Sequence, residues 1–422
     1  MQSKLILPTL CAIGVSALSW AQVPPVSAAA PKPAVAPVAT APLTDQPKVV
    51  ADGAIAIDAD SGRVLWARDA ETPRYMASCT KIMTAMLLIE HCPLNDVVVG
   101  PPDIDKVGES SMHMKPGEKV TVEDMLYALM LRSANDGAVA IADHVAGSVP
   151  KFVDMMNARA AQIGCTHTHF DNPNGLNDPN HFTSAHDLAL IAREAMKLPE
   201  FRTVVSTWKH KIVRSINTKD SWMVSRNKWL KADPTADGIK TGYTVPAGHC
   251  YVGSATRNGW RVITVLLNSD HWEQDHMNLL AWSFAHFDHE QVVASGQRVG
   301  QDAVIGGATP LLGLAAAQPV SMAVRKGEPT PTVVTKPAQL RAPVQAGQIV
   351  GQFAVRDADG YEEPFNVMAV AAVPVASPAP LAGKGSKIPL VVGGVVVLGA
   401  FTLRARLKRR SRSYGRQTSR IF

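Results

Sequence analysis

"GHCYVGSATRNGWRVITVLLNS", Gly248 to Ser269, is two runs of β-forming residues about Asn258-Gly259, the strongest short signal for a two-residue hairpin. The same pattern stands near the start of the chain. There "GAIAIDADSGRVLWARDA", Gly53 to Ala70, alternates about Asp60-Ser61-Gly62. Between the two lie helical texts such as "TKIMTAMLLIEHC", "TVEDMLYALMLRS" with a capping box from Thr121 to Asp124, "DGAVAIADHVAGS", "VPKFVDMMNARAAQIG" and "SAHDLALIAREAMK". Strands, many helices, then strands again predict an antiparallel sheet whose first and last strands meet, with a helical body inserted between them. The fold class is therefore α/β of the segregated, α+β kind.

Past His289 the text changes. Short Val-rich runs broken by Gly, Pro and Asp-Gly, as in "GQIVGQFAVRDADGYEEPFNVMAV", predict a small all-β domain over 290–373 after a larger one over 48–289. Residues 22–47 and 374–387 are Ala/Pro-rich and read as extended spacers. Residues 1–21 pair a lysine with an apolar run and small residues placed for cleavage, the pattern of an export signal. Ile388 to Leu403 is uncharged, and a basic tail, 404–422, follows it. These predict a single-pass anchor with its tail against the anionic inner leaflet of the cytoplasmic membrane, and the remainder of the chain outside. The formal charge is +6, but the tail alone carries eight Lys/Arg and no acid, so about −2 remains elsewhere. The basic balance is thus no argument for nucleic acid. Of five cysteines, Cys11 leaves with the signal; Cys79, Cys92, Cys165 and Cys250 could pair in three ways or stay free.

In "YMASCTKIMTAMLLIE", Tyr75 to Glu90, Ser78 precedes Lys81 by three residues, one helical turn. A serine hydroxyl needs a base to take its proton, and a lysine is a base only when burial or another cation keeps it neutral. "LMLRSANDGAVA" puts Ser133 and Asn135 in a polar break between apolar helices, and "ADGIKTGYTVPAGHC" puts Lys240, Thr241 and Gly242 on an extended segment. There Lys240 can be the second cation, Thr241 a hydroxyl for a carboxylate, and Gly242 a point of close backbone approach. SxxK alone is weak; SxxK, SxN and KTG in that order form a specific set.

With these motifs, and with "THFDNPNGLNDPNHFTSAHDLALIAREAM" and the two hairpins, the chain resembles the low-molecular-mass penicillin-binding proteins that are serine-type D-Ala-D-Ala carboxypeptidases. The likeness is strong over about 51–287 and weaker over the β-rich region. It implies a penicillin-binding protein/serine β-lactamase-like catalytic domain without cofactor. The activity implied is removal of the terminal D-alanine from peptidoglycan stem peptides, with β-lactams as covalent inhibitors. By the same resemblance Ser78 is the acylated nucleophile, Lys81 its base, Ser133 a proton relay and Asn135 a ligand of both substrate and Lys81. Lys240 and Thr241 would bind the terminal carboxylate, with Arg226 nearby, and the N–H groups of Ser78 and Tyr243 would form the oxyanion hole.

Three departures matter. Cys79 replaces an aliphatic residue inside SxxK, and Trp272 stands where many members carry a carboxylate-gripping arginine, leaving His271 or Arg226 to compensate. Pro173 stands where a serine β-lactamase has its deacylating glutamate, so slow turnover of penicillin is expected. His271, Glu273 and His276, like His167 and His169, lack HExxH spacing, and no metal is expected of them. The rival functions are a DD-endopeptidase acting on crosslinks and a catalytically weak wall-binding scaffold.

Overall fold

The computed structural model describes residues 45–336 and 339–377. The expected export signal, most of the first spacer, most of the second, the expected anchor and the basic tail lie outside the described residues. No helix among those described is long and apolar enough to cross a membrane. The described residues fall into two compact units: one combines 45–299, 315–336 and 351–367, the other 300–314, 339–350 and 368–377.

In the first unit, β1 (Gly53–Asp58) and β2 (Val64–Arg68) form the early hairpin, and α1 (Lys81–His91) follows a 3-10 turn over Ala77–Thr80. A small ladder, β3 (Val97–Val99) with β4 (Lys119–Thr121), precedes α2 (Val122–Leu131), α3 (Asn135–Ala146), α4 (Val149–Ile163), α5 (Ala185–Ala195) and α6 (Pro199–Val205). Next come the pair β5 (Lys209–Lys211) and β6 (Trp222–Val224), the short α7 (Trp229–Ala232), β7 (Ala236–Thr244), β8 (Gly248–Arg257), β9 (Trp260–Leu267) and α8 (Trp272–His286). The main sheet is antiparallel, in the order β2-β1-β9-β8-β7. Its first and last strands do meet: Gly53 faces Leu267 and Asp58 faces Val262. Asn258 and Gly259 both take the positive φ that their two-residue turn requires.

Every residue of β1 is buried, because the sheet is covered on both faces and the strand period of two sorts its side chains between them. Ile55 and Ile57 pack with the helical body, whereas Ala54 and Ala56 pack with Leu279, Leu280 and Trp282 of α8. Helix α1 is buried from Lys81 through Leu88, an all-round apolar helix at the centre of that body. Thr121 caps α2 by accepting from Asp124 N at 3.2 Å. The reciprocal half of the expected box is missing, since the Asp124 carboxylate instead accepts from Val213 N at 2.8 Å.

Beyond α8 the described residues form strands and their connections, with no further helix. The first unit holds β10 (Phe287–Val293), antiparallel to β13 (Val320–Arg325), and β14 (Thr332–Val334), antiparallel to the end of β16 (Ile349–Arg356). It also holds most of β17 (Glu362–Ala369). Arg63, buried beside the early hairpin's turn, reaches Asp357 at 2.6 Å and Asp359 at 2.9 Å. In the second unit β11 (Arg298–Ile305) runs parallel to β15 (Leu340–Arg341); β12 (Leu311–Ala316) completes the strands. All four described cysteines are free.

Candidate active site

Ser78 stands in the 3-10 turn that leads into α1, after Ala77 at φ 47°. The turn is what separates the two motif residues in exposure: Ser78 is half-buried and Lys81 fully buried. Lys81 Nζ lies 3.0 Å from Ser78 Oγ and donates to Asn135 Oδ1 at 2.7 Å and to the Asn174 carbonyl. A neutral amine has two N–H groups and one lone pair. With both N–H groups taken by Asn135 and Asn174, the lone pair is left for the Ser78 hydroxyl proton. Burial, and next the charge of Lys240, hold the Lys81 pKa well below its ordinary value, so the free base is populated where a solvated lysine would be charged.

Lys240 comes from β7, whose register places it across from Val252 of β8. It is buried, donates to its neighbour's Thr241 carbonyl at 2.8 Å, and has its pKa lowered by burial to about 8, so it is still a cation at neutral pH. Gly242 is where β7 passes Ser78: a Cβ there would sit 3.0 Å from Ser78 N and 3.1 Å from the Met76 carbonyl. Tyr243 is exposed at the end of this strand, its ring 4.5 Å from that of His249. The outer position of β7 in the sheet leaves one of its edges facing away from β8.

Asn135 opens α3, and Ser133 precedes it at φ 64°, buried in the break between α2 and α3. Asn135 Nδ2 donates to the Gly108 carbonyl at 3.1 Å and its backbone N–H to that of Ser110 at 2.7 Å, tying it to the 108–114 loop. Asp136 binds the same loop, accepting from Met112 N, Met114 N and Ser111 Oγ. Arg226 donates to Ser110 Oγ at 2.8 Å, and its charge helps depress both lysines.

Thus Ser78, Lys81 and Asn135 share one hydrogen-bonded group, with Lys240, Gly242 and Arg226 around it. Trp272 is placed elsewhere: it begins α8 and packs on the back cluster, its ring 4.6 Å from that of buried Tyr251. It lines a cleft of about 350 Å³ together with Lys228, Trp229 and His271. His276 is buried in the same layer, its Nδ1 2.6 Å from Thr264 Oγ1. Cys79 is buried with its Sγ 3.8 Å from the Lys240 carbonyl, and burial pushes its thiol pKa up, the state of a packing group and not of a nucleophile.

Two contributors escaped the motif reading. Asn174 acts through its backbone carbonyl, and the neighbouring Pro173 carbonyl accepts from Thr84 Oγ1 at 2.6 Å, so this loop presents peptide oxygen to α1. His181 supports the turn that carries Ser78 by a relay. Asp171 N donates to its Nδ1 at 3.0 Å, which leaves the proton on Nε2 to be donated to Thr80 Oγ1 at 2.7 Å, and Thr80 donates to the Ala77 carbonyl at 2.9 Å.

Residues 40–271 match the family described as D-alanyl-D-alanine carboxypeptidase, and 287–374 the one described as penicillin-binding protein 5, C-terminal domain. The chain is 30% identical to D-alanyl-D-alanine carboxypeptidase DacF of Bacillus subtilis, over 72% of this chain and 81% of that one. It is 31% identical to DacD of Escherichia coli over 75% and 86%. Among solved structures, penicillin-binding protein 5 of Haemophilus influenzae superposes with a TM-score of 0.67 at 28% identity, covering 78% of this chain and 99% of that one. A peptidoglycan synthesis regulatory factor of Streptococcus pneumoniae gives 0.66 at 27%, over 77% and 99%.

Proposed function

The chain belongs to the D-alanyl-D-alanine carboxypeptidase family, and from that premise we propose that it releases the terminal D-alanine of peptidoglycan pentapeptides through an ester on Ser78. The observation that carries the reading is Lys81: buried, beside a second buried cation, with two acceptors for its N–H groups and Ser78 Oγ at 3.0 Å. As Ser78 Oγ bonds to the carbonyl carbon of the penultimate residue, its proton passes to Lys81 Nζ and the carbonyl electron pair moves onto oxygen. The N–H groups of Ser78 and Tyr243 receive that oxyanion, a donor of this kind being worth about 2.7–4 kcal/mol of barrier. Collapse breaks the C–N bond, and the proton reaches the leaving amine by way of Ser133. Water then adds to the ester, gives a proton to Lys81, and Ser78 is released with its hydroxyl restored. Lys240 and Thr241 hold the terminal carboxylate, with Arg226 behind them, and the substrate chain lies along β7 as an added strand.

Penicillin acylates the same serine. In sequence Pro173 takes the place of the glutamate with which a serine β-lactamase activates its deacylating water, so slow turnover of the adduct is part of this reading. The export signal, the anchor at 388–403 and the basic tail belong to this reading and would hold the catalytic domain outside the cytoplasmic membrane.

The test is a fluorescent penicillin with the adduct located by mass spectrometry, beside D-alanine release from a monomeric pentapeptide. Label on Ser78 with D-alanine released, both lost in Ser78→Ala, is the expected result. Label without release from the monomer, but with cleavage of a crosslinked dimer, would replace the carboxypeptidase by the endopeptidase. No label would overturn the enzyme altogether.

A further inference from the structure

The C-terminal ends of α1 and α3 bring together three metal-ligating groups that the reaction does not use. Cys92 caps α1, His144 lies in the last turn of α3, and Asp96 stands four residues after Cys92 in the connecting loop. The Cys92 Sγ, a ring nitrogen of His144 and a carboxylate oxygen of Asp96 all lie within 4.8 Å of one another. We propose that Cys92, Asp96 and His144 form a binding site for a divalent transition-metal ion of the zinc type, with water as the fourth ligand.

The donor set is the first argument. A thiolate, an imidazole and a carboxylate are the ligands a borderline-soft, tetrahedral ion takes, and the two anions balance a 2+ charge. Geometry is the second. Bonds of about 2.0–2.3 Å at tetrahedral angles put ligand atoms roughly 3.3–3.7 Å apart. His144 Nε2 already lies 3.2 Å from Asp96 Oδ2, so closure needs little more than a shift of the cysteine side chain.

Rigidity is the third. Cys92 N donates to the Leu88 carbonyl at 3.0 Å, Val122 N to Asp96 O at 2.9 Å and Glu123 N to Leu94 O at 3.0 Å. The other Asp96 oxygen is fixed by Val97 N at 2.7 Å, leaving the oxygen that faces His144 for the ion. Among the described residues the other cluster of this kind, Asp58, Asp60 and His289, is a poorer candidate. Its buried Asp58 already accepts from Trp260 Nε1, Asp60 N and Ser61 Oγ.

The consequence lies at the opposite ends of the two helices. Lys81 begins α1 and Asn135 begins α3, and their 2.7 Å contact depends on how the helices are held side by side. An ion joining Cys92 to His144 staples the pair about 16 Å along α1 from Lys81. It would stiffen the site without touching it.

The experiment is titration of the purified, reduced full-length chain with Co²⁺ as the probe, followed by displacement with Zn²⁺. Expected are thiolate-to-cobalt charge transfer in the near ultraviolet and intense tetrahedral d–d bands, saturating at one equivalent. Cys92→Ser should abolish the charge-transfer band and His144→Ala should weaken binding at least tenfold, while penicillin labelling of Ser78 in both variants, measured without added metal, stays at the rate of the metal-free wild type and reports an intact fold. Absence of the charge-transfer band in the wild type, or its survival in Cys92→Ser, would overturn the proposal. The test does not depend on which peptide the enzyme cleaves.

Discussion

At the scale of single residues, the proposed chemistry turns on two buried lysines of unequal character. Both lose basicity to burial, but Lys81 also feels the charge of Lys240, so the pair divides into a base and a cation. Lys240, at about 8, is protonated below that pH and neutral above it. Its attraction for a substrate carboxylate is therefore present at neutral pH and lost as pH rises through about 8. We expect kcat/KM for a pentapeptide with a free C-terminus to fall above pH 8, approaching tenfold per unit, chiefly through KM. A substrate amidated at its C-terminus should lack this alkaline limb. A limb of the same position and slope for both substrates would show that a group other than Lys240 sets it.

At the scale of elements, what the sequence made legible was whatever a local pattern encodes. The hairpins carried turn residues and a period of two, and they fixed β1, β2, β8 and β9; the KTG segment fell on β7 because a strand had to lead into the second hairpin. Ser78 and Lys81 were readable because one helical turn separates them. Illegible were contributions with no side-chain signature or with distant partners. The Asn174 carbonyl could belong to any residue type, and the fully buried pair Glu118–Arg214, 2.8 Å apart, joins positions whose separation in sequence hides them from each other. Trp272 was read by its place in a motif, yet a helix start directs it to the back cluster. The loop that supplies Asn174 depends on Gly175, which has φ 86° and passes so close to the turn carrying Ser78 that a Cβ would lie 2.0 Å from the Ala77 carbonyl. Gly175→Ala should thus cost about 2–5 kcal/mol, combining left-handed strain with a backbone clash, and should slow acylation as the Lys81 acceptor shifts. Denaturant unfolding and the penicillin labelling rate measure the two effects; a variant within about 0.5 kcal/mol of wild type, the size of a neutral surface change, would show that the loop yields freely.

At the scale of the whole molecule, the enclosed imidazoles link folding to acidity. His181 and His276 are buried without a charged partner in hydrogen-bonding contact, and burial lowers their pKa values from 6.5 to about 4 and about 3. The unfolded chain binds these protons near pH 6.5 and the native protein only at much lower pH. Stability is therefore complete above 6.5 and is lost as pH falls toward 4, by about 3 kcal/mol for His181 alone. His289 acts in the opposite sense, its pKa raised by Asp60, but Asp60 is largely exposed and water screens the pair, so the loss prevails. The tautomer makes the penalty at His181 structural as well as electrostatic. Its Nδ1 accepts from Asp171 N, and a proton there would face an N–H group and break the relay to Thr80 and the Ala77 carbonyl. Acid should consequently loosen the turn that carries Ser78 before the sheet gives way. The guanidinium midpoint should fall between pH 7 and pH 5, with penicillin labelling declining at denaturant concentrations that leave the far-ultraviolet circular dichroism intact. His181→Gln, which cannot take up that proton, should flatten the dependence; an unchanged slope in that variant would assign the acid sensitivity to other groups.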